Sequence, residues 1–210
     1  MTQRISFVPL EDLDPRMQAE LHRCAEHGTP RPESSAVRAH APNAFWAFAD
    51  SWQGLFREGV CDHAIKELCR VYISRTVSCE FCGNQRSEQG AEAGLAEVQY
   101  DQLLNFADSD LYDERQKTAL FYAQAIAWGE SSIDDMDALW ERLHHHFTEP
   151  ELVELGCFIA LTYGQQSWIR LLGISHHQYL AGTSAALAPG FGTDEEYQAS
   201  TSSEEYWARR

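Results

Sequence analysis

The stretch Glu67-Leu-Cys-Arg-Val-Tyr-Ile-Ser-Arg-Thr-Val-Ser-Cys79-Glu-Phe-Cys82-Gly-Asn-Gln-Arg86 joins a helical pattern to a pair of closely spaced cysteines. Ala64, Ile65, Leu68, Cys69, Val71 and Tyr72 recur with a 3.6-residue period behind Asp62, a capping residue, and so predict an amphipathic helix. The pattern breaks at Val77-Ser78. A second helix is predicted from about Cys79 to Ala93, with Gly94 as its stop. Cysteines at the first and fourth positions of such a helix share one turn, and their sulfurs reach disulfide distance with little backbone movement. The helix N-terminus adds partial positive charge, which favours thiolate over thiol at one of them. A thiolate beside a second cysteine is suited to reducing peroxides: one sulfur takes the oxygen as a sulfenic acid, and its neighbour condenses to a disulfide. CxxC also occurs in zinc sites and thioredoxin-like proteins, so the pair alone leaves those readings open.

Outward from this stretch the pattern stays helical. Asp14-Pro15 starts a helix that carries Met17, Leu21 and Cys24 on one face and stops at Gly28. Thr29 to Ser35 reads as a connector. From Pro42, the residues Phe45, Trp46, Phe48, Ala49, Trp52, Leu55 and Phe56 make an aromatic-rich helix ending near Gly59, in which Trp46, Phe48 and Trp52 read as a core stripe that could instead line a pocket. Ala96 to Phe106 reads as a short helix. Asp113 to Gly129 is the next, followed by one starting at Ser131/Ser132. Thr148-Glu149-Pro150-Glu151 opens an apolar run that continues to Leu172. No comparable run alternates with the period of a strand, so the class is all-α. The expected organisation is a single helical domain over residues 1–188 and an acidic C-terminal tail over 189–210, whose aromatics Phe191, Tyr197, Tyr206 and Trp207 could lie on a neighbouring subunit. A weak echo aligns His63–Ser74 with Glu151–Thr162 and Cys69 with Cys157, as two repeated halves would. Any two amphipathic helices can align this well. If the echo is real, Leu155, Ser167 and Arg170 stand where Glu67, Cys79 and Cys82 do, and the chemistry belongs to the first half.

The chain has 210 residues and a formal net charge of -16. Nucleic-acid binding needs clustered Lys and Arg, and docking on an anionic membrane needs a polybasic segment; both are disfavoured. No apolar stretch is long enough to cross a bilayer, and the N-terminus lacks the pattern of a secretory signal, so a cytoplasmic location is expected. In a reducing compartment most cysteines are buried thiols, and of the six only Cys79 and Cys82 stand close together. Thioredoxin-type CxxC follows a strand, and none is predicted. Zinc would need four ligands, for which Cys61 and His63 are the nearby complement. His144-His145-His146 and His176-His177 place neighbouring rings about 100° apart on a helix, so neither run converges on an ion. No metal or cofactor site is read from the sequence.

Glu67, eleven residues, Cys79, two residues and Cys82, in an all-helical chain, resembles the alkylhydroperoxidase D branch of the carboxymuconolactone decarboxylase family. The segment from Arg115 to Gly173, including Phe147-Thr-Glu-Pro-Glu-Leu-Val-Glu-Leu, is similar to its downstream helices, and the likeness spans about residues 40–180. The resemblance implies a helical bundle assembled as a homo-oligomer, whether dimer, trimer or hexamer, with thiol-dependent peroxidase activity fed by a thiol reductant. It implies Cys82 as the thiol that attacks peroxide, Cys79 as its resolving partner and Glu67 as the acid-base residue. Family peroxidases typically carry a relay His four residues after the second cysteine, and here that position is Arg86; many carry another between the cysteines, where this chain has Phe81.

Arginine stays protonated and shuttles no proton, but it can stabilise a thiolate one turn away, pair with Glu67 or hold an acidic substrate. His63, one turn before Glu67, could hydrogen-bond it and stand in for the relay. Bland readings compete: an exposed first-turn His63, and a surface Glu67 balancing Arg70 or Arg75. The leading expectation is therefore a peroxidase that uses Cys82, Cys79, Glu67, Arg86 and His63. The alternatives are a decarboxylase or lactone-processing enzyme with Arg86 on a substrate carboxylate, and a non-catalytic redox-sensing oligomer.

Overall fold

The computed structural model describes residues 3–26, 32–83 and 85–174. The predicted stop at Gly28, the His176-His177 pair and the tail from 189 lie outside them. The described residues contain no strand. They form α1 (Pro15–Glu26), α2 (Pro32–Arg38), α3 (Pro42–Trp52), α4 (His63–Thr76), α5 (Glu80–Gly83), α6 (Glu88–Glu92), α7 (Glu97–Asp101), α8 (Glu114–Trp128), α9 (Met136–His146) and α10 (Glu149–Leu172). A π-helical turn, Gln53–Arg57, extends α3, and a 3-10 turn, Leu103–Asp108, follows α7.

Several starts follow the expected chemistry. The Asp62 carboxylate accepts the Ala64 N–H at the head of α4, and Asp113 and Gln116 close a reciprocal capping box on α8. Thr148 and Glu151 do the same for α10.

α4 is the centre of the bundle, packed against α8 and α10. Its apolar side, with Leu68, Val71 and Ile73 fully buried, meets Ala119 and Leu120 of α8 and Leu155 and Ile159 of α10. Each of the Leu, Val and Ile side chains among them contributes about 1.5–3 kcal/mol by leaving water. The 3.6-residue pattern leaves the other side of α4 for solvent, yet Lys66, Glu67, Arg70, Ser74 and Arg75 are buried too. That side is covered by α5, α6 and the turn after α3. Lys66 is satisfied there by the carbonyls of Leu55 and Glu58 and the Glu154 carboxylate, at 2.9, 3.1 and 3.0 Å. Glu154 also accepts the N–H groups of Val60 and Cys61, which fixes the turn at Gly59, where φ is +70°.

Four boundaries differ from the sequence expectation. The connector over Thr29 to Ser35 contains the start of α2, whose Glu33, Ser34, Ser35 and Arg38 are buried. Its polar composition imitates a solvated loop. The Arg38 guanidinium instead lies 3.7 Å from the Phe48 ring centre and donates to Gln165 at 2.7 Å. The helix expected from Ala96 to Phe106 divides at Gln102 into α7 and the 3-10 turn, within which the Asn105 backbone is not helical. α9 starts later than Ser131/Ser132, because Asp135 is the residue that caps it. The helix expected from Cys79 to Ala93 is broken into α5 and α6, for a reason that lies in the candidate site.

Candidate active site

Cys79 immediately precedes α5 and Cys82 lies within it, and the two are joined as a disulfide, with Cα atoms 5.4 Å apart. Ser78 enters α5 with φ +56°, a left-handed conformation unusual for a residue with a Cβ, and turns the chain out of α4. α5 ends after one turn because guanidinium groups take its carbonyls. Arg70 Nη1 donates to Cys82 O at 2.8 Å and Arg70 Nη2 to Gln85 O at 2.7 Å. Arg86 Nη1 donates to Gly83 O at 2.7 Å and Gln85 O at 2.8 Å. Carbonyls satisfied this way need no amide from a following turn, so α6 starts afresh with Ser87 as its cap.

Glu67 is fully buried beneath this break. Arg70 Nε donates to its Oε2 at 2.6 Å and Arg70 Nη2 to its Oε1 at 2.9 Å. The Ser87 N–H adds a third hydrogen bond, to Oε1 at 3.0 Å. Burial disfavours the carboxylate, but the Arg70 charge and these hydrogen bonds outweigh it and hold the carboxyl below its ordinary value. Glu67 is therefore neither the surface residue of the bland reading nor a carboxyl with a free oxygen. It is the counter-ion of Arg70.

His63 and Arg86 sit differently from the expectation as well. His63 does not hydrogen-bond Glu67; its Nε2 meets Ser87 Oγ and its Nδ1 meets Phe56 O, both at 2.9 Å. A carbonyl only accepts, so Nδ1 carries the proton and Nε2 accepts from the Ser87 hydroxyl, which in turn accepts the Gly90 N–H. Burial lowers the His63 pKa despite the opposing pull of Glu67. Ser87 is thus the link between His63 and Glu67. Gly90 makes room for it: a Cβ there would lie 2.8 Å from Ser87 Oγ and 3.1 Å from Glu67 Cγ.

Arg86 does not reach back along a helix to Cys82 or pair with Glu67, because α5 ends between them. It forms a two-pronged pair with Glu97, at 2.8 and 3.0 Å, and lies 4.2 Å from the centre of the Tyr100 ring.

Cys79 packs against Ile169 and the partly buried Val77, Trp168 and Ile174. Cys82 borders a cavity of about 20 Å³ that Arg70, Trp52, Thr162, Gln166 and Phe48 also line. Phe48 and Gln165 border both this cavity and a groove of about 420 Å³ between α3 and α10. Of the remaining cysteines, Cys61 and Cys69 are buried and Cys157 is exposed. Burial raises the Cys61 thiol to about 11, which makes it inert at neutral pH. Cys69 and Cys157, matched in the sequence echo, thus lie in unlike surroundings.

Sequence reasoning named Arg70 only as a surface partner of Glu67, and it missed Ser87, Thr162 and Gln166. Arg70 stands three residues after Glu67, at ion-pair spacing. Thr162 and Gln166 interrupt the apolar stripe Leu152, Leu155, Ile159, Ile169 with polar side chains, which is the signal that could have found them.

Solved structures with this arrangement of helices are known. An uncharacterised peroxidase-related protein from Ralstonia eutropha JMP134, described as an alkylhydroperoxidase AhpD core, superposes with a TM-score of 0.67 over 93% of this chain and 95% of that one, at 18% identity. The fold is that of the AhpD core. The debrominase Bmp8 in complex with 2,3,4-tribromopyrrole shares the AhpD-like fold, at 0.67, 16% identity and 83% and 92% coverage. So does a peroxidase-related protein from Silicibacter sp. TM1040, at 0.65, 16% identity and 83% and 94% coverage.

No family model matches the sequence. The uncharacterised protein YnjA of Escherichia coli (strain K12) is 34% identical over 103 residues, 48% of this chain and 54% of that protein. Rv2313c of Mycobacterium tuberculosis, also uncharacterised, is 32% identical over 94 residues, 45% of this chain and 32% of that protein. The match spans about half the length of YnjA and a third of Rv2313c. Among the described residues, no helix is long and apolar enough to cross a membrane.

Proposed function

We propose that this chain is a thiol-dependent peroxidase that reduces hydrogen peroxide or small organic hydroperoxides through Cys82 and Cys79. The observation that carries the reading is that Cys82, already bonded to Cys79, borders the cavity shared with Arg70. In the reduced protein, Arg70 favours the Cys82 thiolate. The thiolate attacks the outer peroxide oxygen, the O–O bond breaks, and Cys82 becomes a sulfenic acid while alkoxide or hydroxide leaves and takes a proton from water. Cys79 then attacks the sulfenic sulfur, forming the disulfide and releasing water. A dithiol reductant, protein or small molecule, returns two electrons and two protons. Glu67 acts through Arg70 as a positioning residue, and His63 braces Ser87.

The debrominase Bmp8 shares the fold, so this reading rests on the cysteine pair and its cavity rather than on the fold alone. The decarboxylase or lactone alternative requires Arg86 to hold a substrate carboxylate. Arg86 is 2% exposed and its fork already faces Glu97, which removes the support for it. We also place the chain in a homo-oligomer; Trp128 and Leu171, 58% and 70% exposed, are apolar surface that a second copy could cover. Light scattering that finds a strict monomer overturns this part.

The test is peroxide consumption by purified protein with dithiothreitol as reductant. Wild-type protein is expected to turn over and Cys82→Ser to be inactive; unchanged turnover in that variant sinks the proposal. Reversible Cys79–Cys82 oxidation without turnover in the wild type would replace it with the redox-sensing reading.

A further inference from the structure

Three buried polar side chains border the Cys82 cavity with atoms that have no hydrogen-bond partner among the described residues: Trp52 Nε1, Thr162 Oγ1 and Gln166 Oε1. Trp52 is 5%, Thr162 0% and Gln166 4% exposed, so bulk water does not satisfy these atoms. Leaving a buried polar group unpaired costs about 1–3 kcal/mol, and three around one small cavity is a concentration that folding alone does not call for. The rest of Gln166 is anchored, since its Nε2 donates to Arg70 O at 3.2 Å. That bond fixes which end of the amide is left over, an acceptor. Trp52 is held by Phe48, Phe56 and Phe158 around its ring, so its N–H is fixed in direction.

The set is chemically asymmetric. Trp52 Nε1 can only donate, Gln166 Oε1 can only accept, and the Thr162 hydroxyl can do either. A hydroperoxide matches it: one O–H to donate and two oxygens to accept. The cavity of about 20 Å³ exceeds the ~10–15 Å³ that one water requires, and so has room for oxygen atoms and little else.

Building on the peroxidase reading above, we infer that Trp52, Thr162 and Gln166 form the subsite that holds the hydroperoxide group against Cys82. Gln166 Oε1 accepts the peroxide O–H and thereby orients the outer oxygen, while Thr162 and Trp52 donate to the inner oxygen. Negative charge develops on that inner oxygen as the O–O bond breaks, and fixed donors stabilise it without reorganisation. The oxygen transferred to Cys82 keeps its hydrogen, and the departing alkoxide or hydroxide takes its proton from water. α10 supplies Thr162 and Gln166 and α3 supplies Trp52, to a thiol held on α5.

The experiment compares two rates in reduced protein: oxidation of Cys82 by hydrogen peroxide and by tert-butyl hydroperoxide, and alkylation of the same thiol by iodoacetamide. Thr162→Val and Gln166→Leu are expected to slow peroxide oxidation by about 10–100-fold, the loss from removing one such hydrogen bond in a water-poor site. Alkylation should stay within about twofold of wild type, since it uses the thiolate and not the oxygen subsite. Thr162→Ser, which keeps the hydroxyl, should restore the peroxide rate and controls for any folding defect of Thr162→Val. If both rates fall together, or if the peroxide rate stands unchanged in both variants, the subsite assignment is overturned. A wild-type thiol that alkylates but does not react with either peroxide overturns the peroxidase reading itself.

Discussion

Arg70 grips both carboxylate oxygens of Glu67 through Nε and Nη2, at 2.6 and 2.9 Å, and through Nη1 and Nη2 holds the carbonyls of Cys82 and Gln85. One guanidinium therefore ties a buried carboxylate on α4 to the loop that ends the cysteine helix. The ion pair is not chiefly a source of stability, since desolvating two charges offsets most of their attraction. Its effect is to fix where Cys82 stands.

Removing one partner should show this. Glu67→Ala leaves the Arg70 charge buried and uncompensated, and is expected to destabilise the fold by about 3–5 kcal/mol. Glu67→Gln keeps the side-chain shape and one of the two accepting oxygens and should cost less, yet still slow Cys82 oxidation. Urea unfolding together with peroxide-dependent thiol oxidation checks both; a Glu67→Gln protein with unaltered thiol kinetics would remove the positioning role.

His63 gives a pH signature. Its folded pKa lies below the ordinary 6.5, so the unfolded chain binds the proton more readily. The contribution is intact above pH 6.5 and is lost as pH falls toward the depressed folded value, where protonated Nε2 can no longer accept from Ser87. Melting temperatures measured through this window should drop with falling pH in the wild type. In His63→Asn that part of the slope should flatten.

Ser78 carries backbone strain at φ +56°. Glycine adopts this conformation without a Cβ penalty, so Ser78→Gly is expected to gain up to about 1 kcal/mol, reduced by the extra freedom glycine has when unfolded. Denaturant midpoints test it. A loss of more than 1 kcal/mol would mean the Ser78 side chain is needed.

Restoring a histidine at position 86 should not restore a relay. Arg86 faces Glu97 and Tyr100 and holds the Gly83 carbonyl, and an imidazole is too short to replace those bonds. Arg86→His is expected to lower stability by about 2 kcal/mol and leave peroxide turnover no faster. A faster enzyme would show that the side chain at 86 reaches the sulfur after all.

The helical class was legible because its signals are local. Apolar periodicity, Asp62, Asp113 and the Thr148–Glu151 box act over four or five residues and form as they read. The cysteine pair was legible for the same reason: three residues of separation fix their distance whatever surrounds them. The break of the 79–93 helix was not, because the groups that capture its carbonyls come from Arg70, outside that segment, and from Arg86 folding back on its own turn.

Local patterns along the chain specify an all-helical class, one closely paired set of thiols and a glutamate at a fixed spacing before it. Helix packing set what those residues face. It buried the polar side of α4 under α5 and α6, turned Glu67 into the counter-ion of Arg70, sent Arg86 to Glu97, and brought Trp52, Thr162 and Gln166 to the cavity at Cys82. Side-chain identity sets what a group can donate or accept. Which partner it meets depends on helices that lie far apart along the chain and pack together only when the core excludes water.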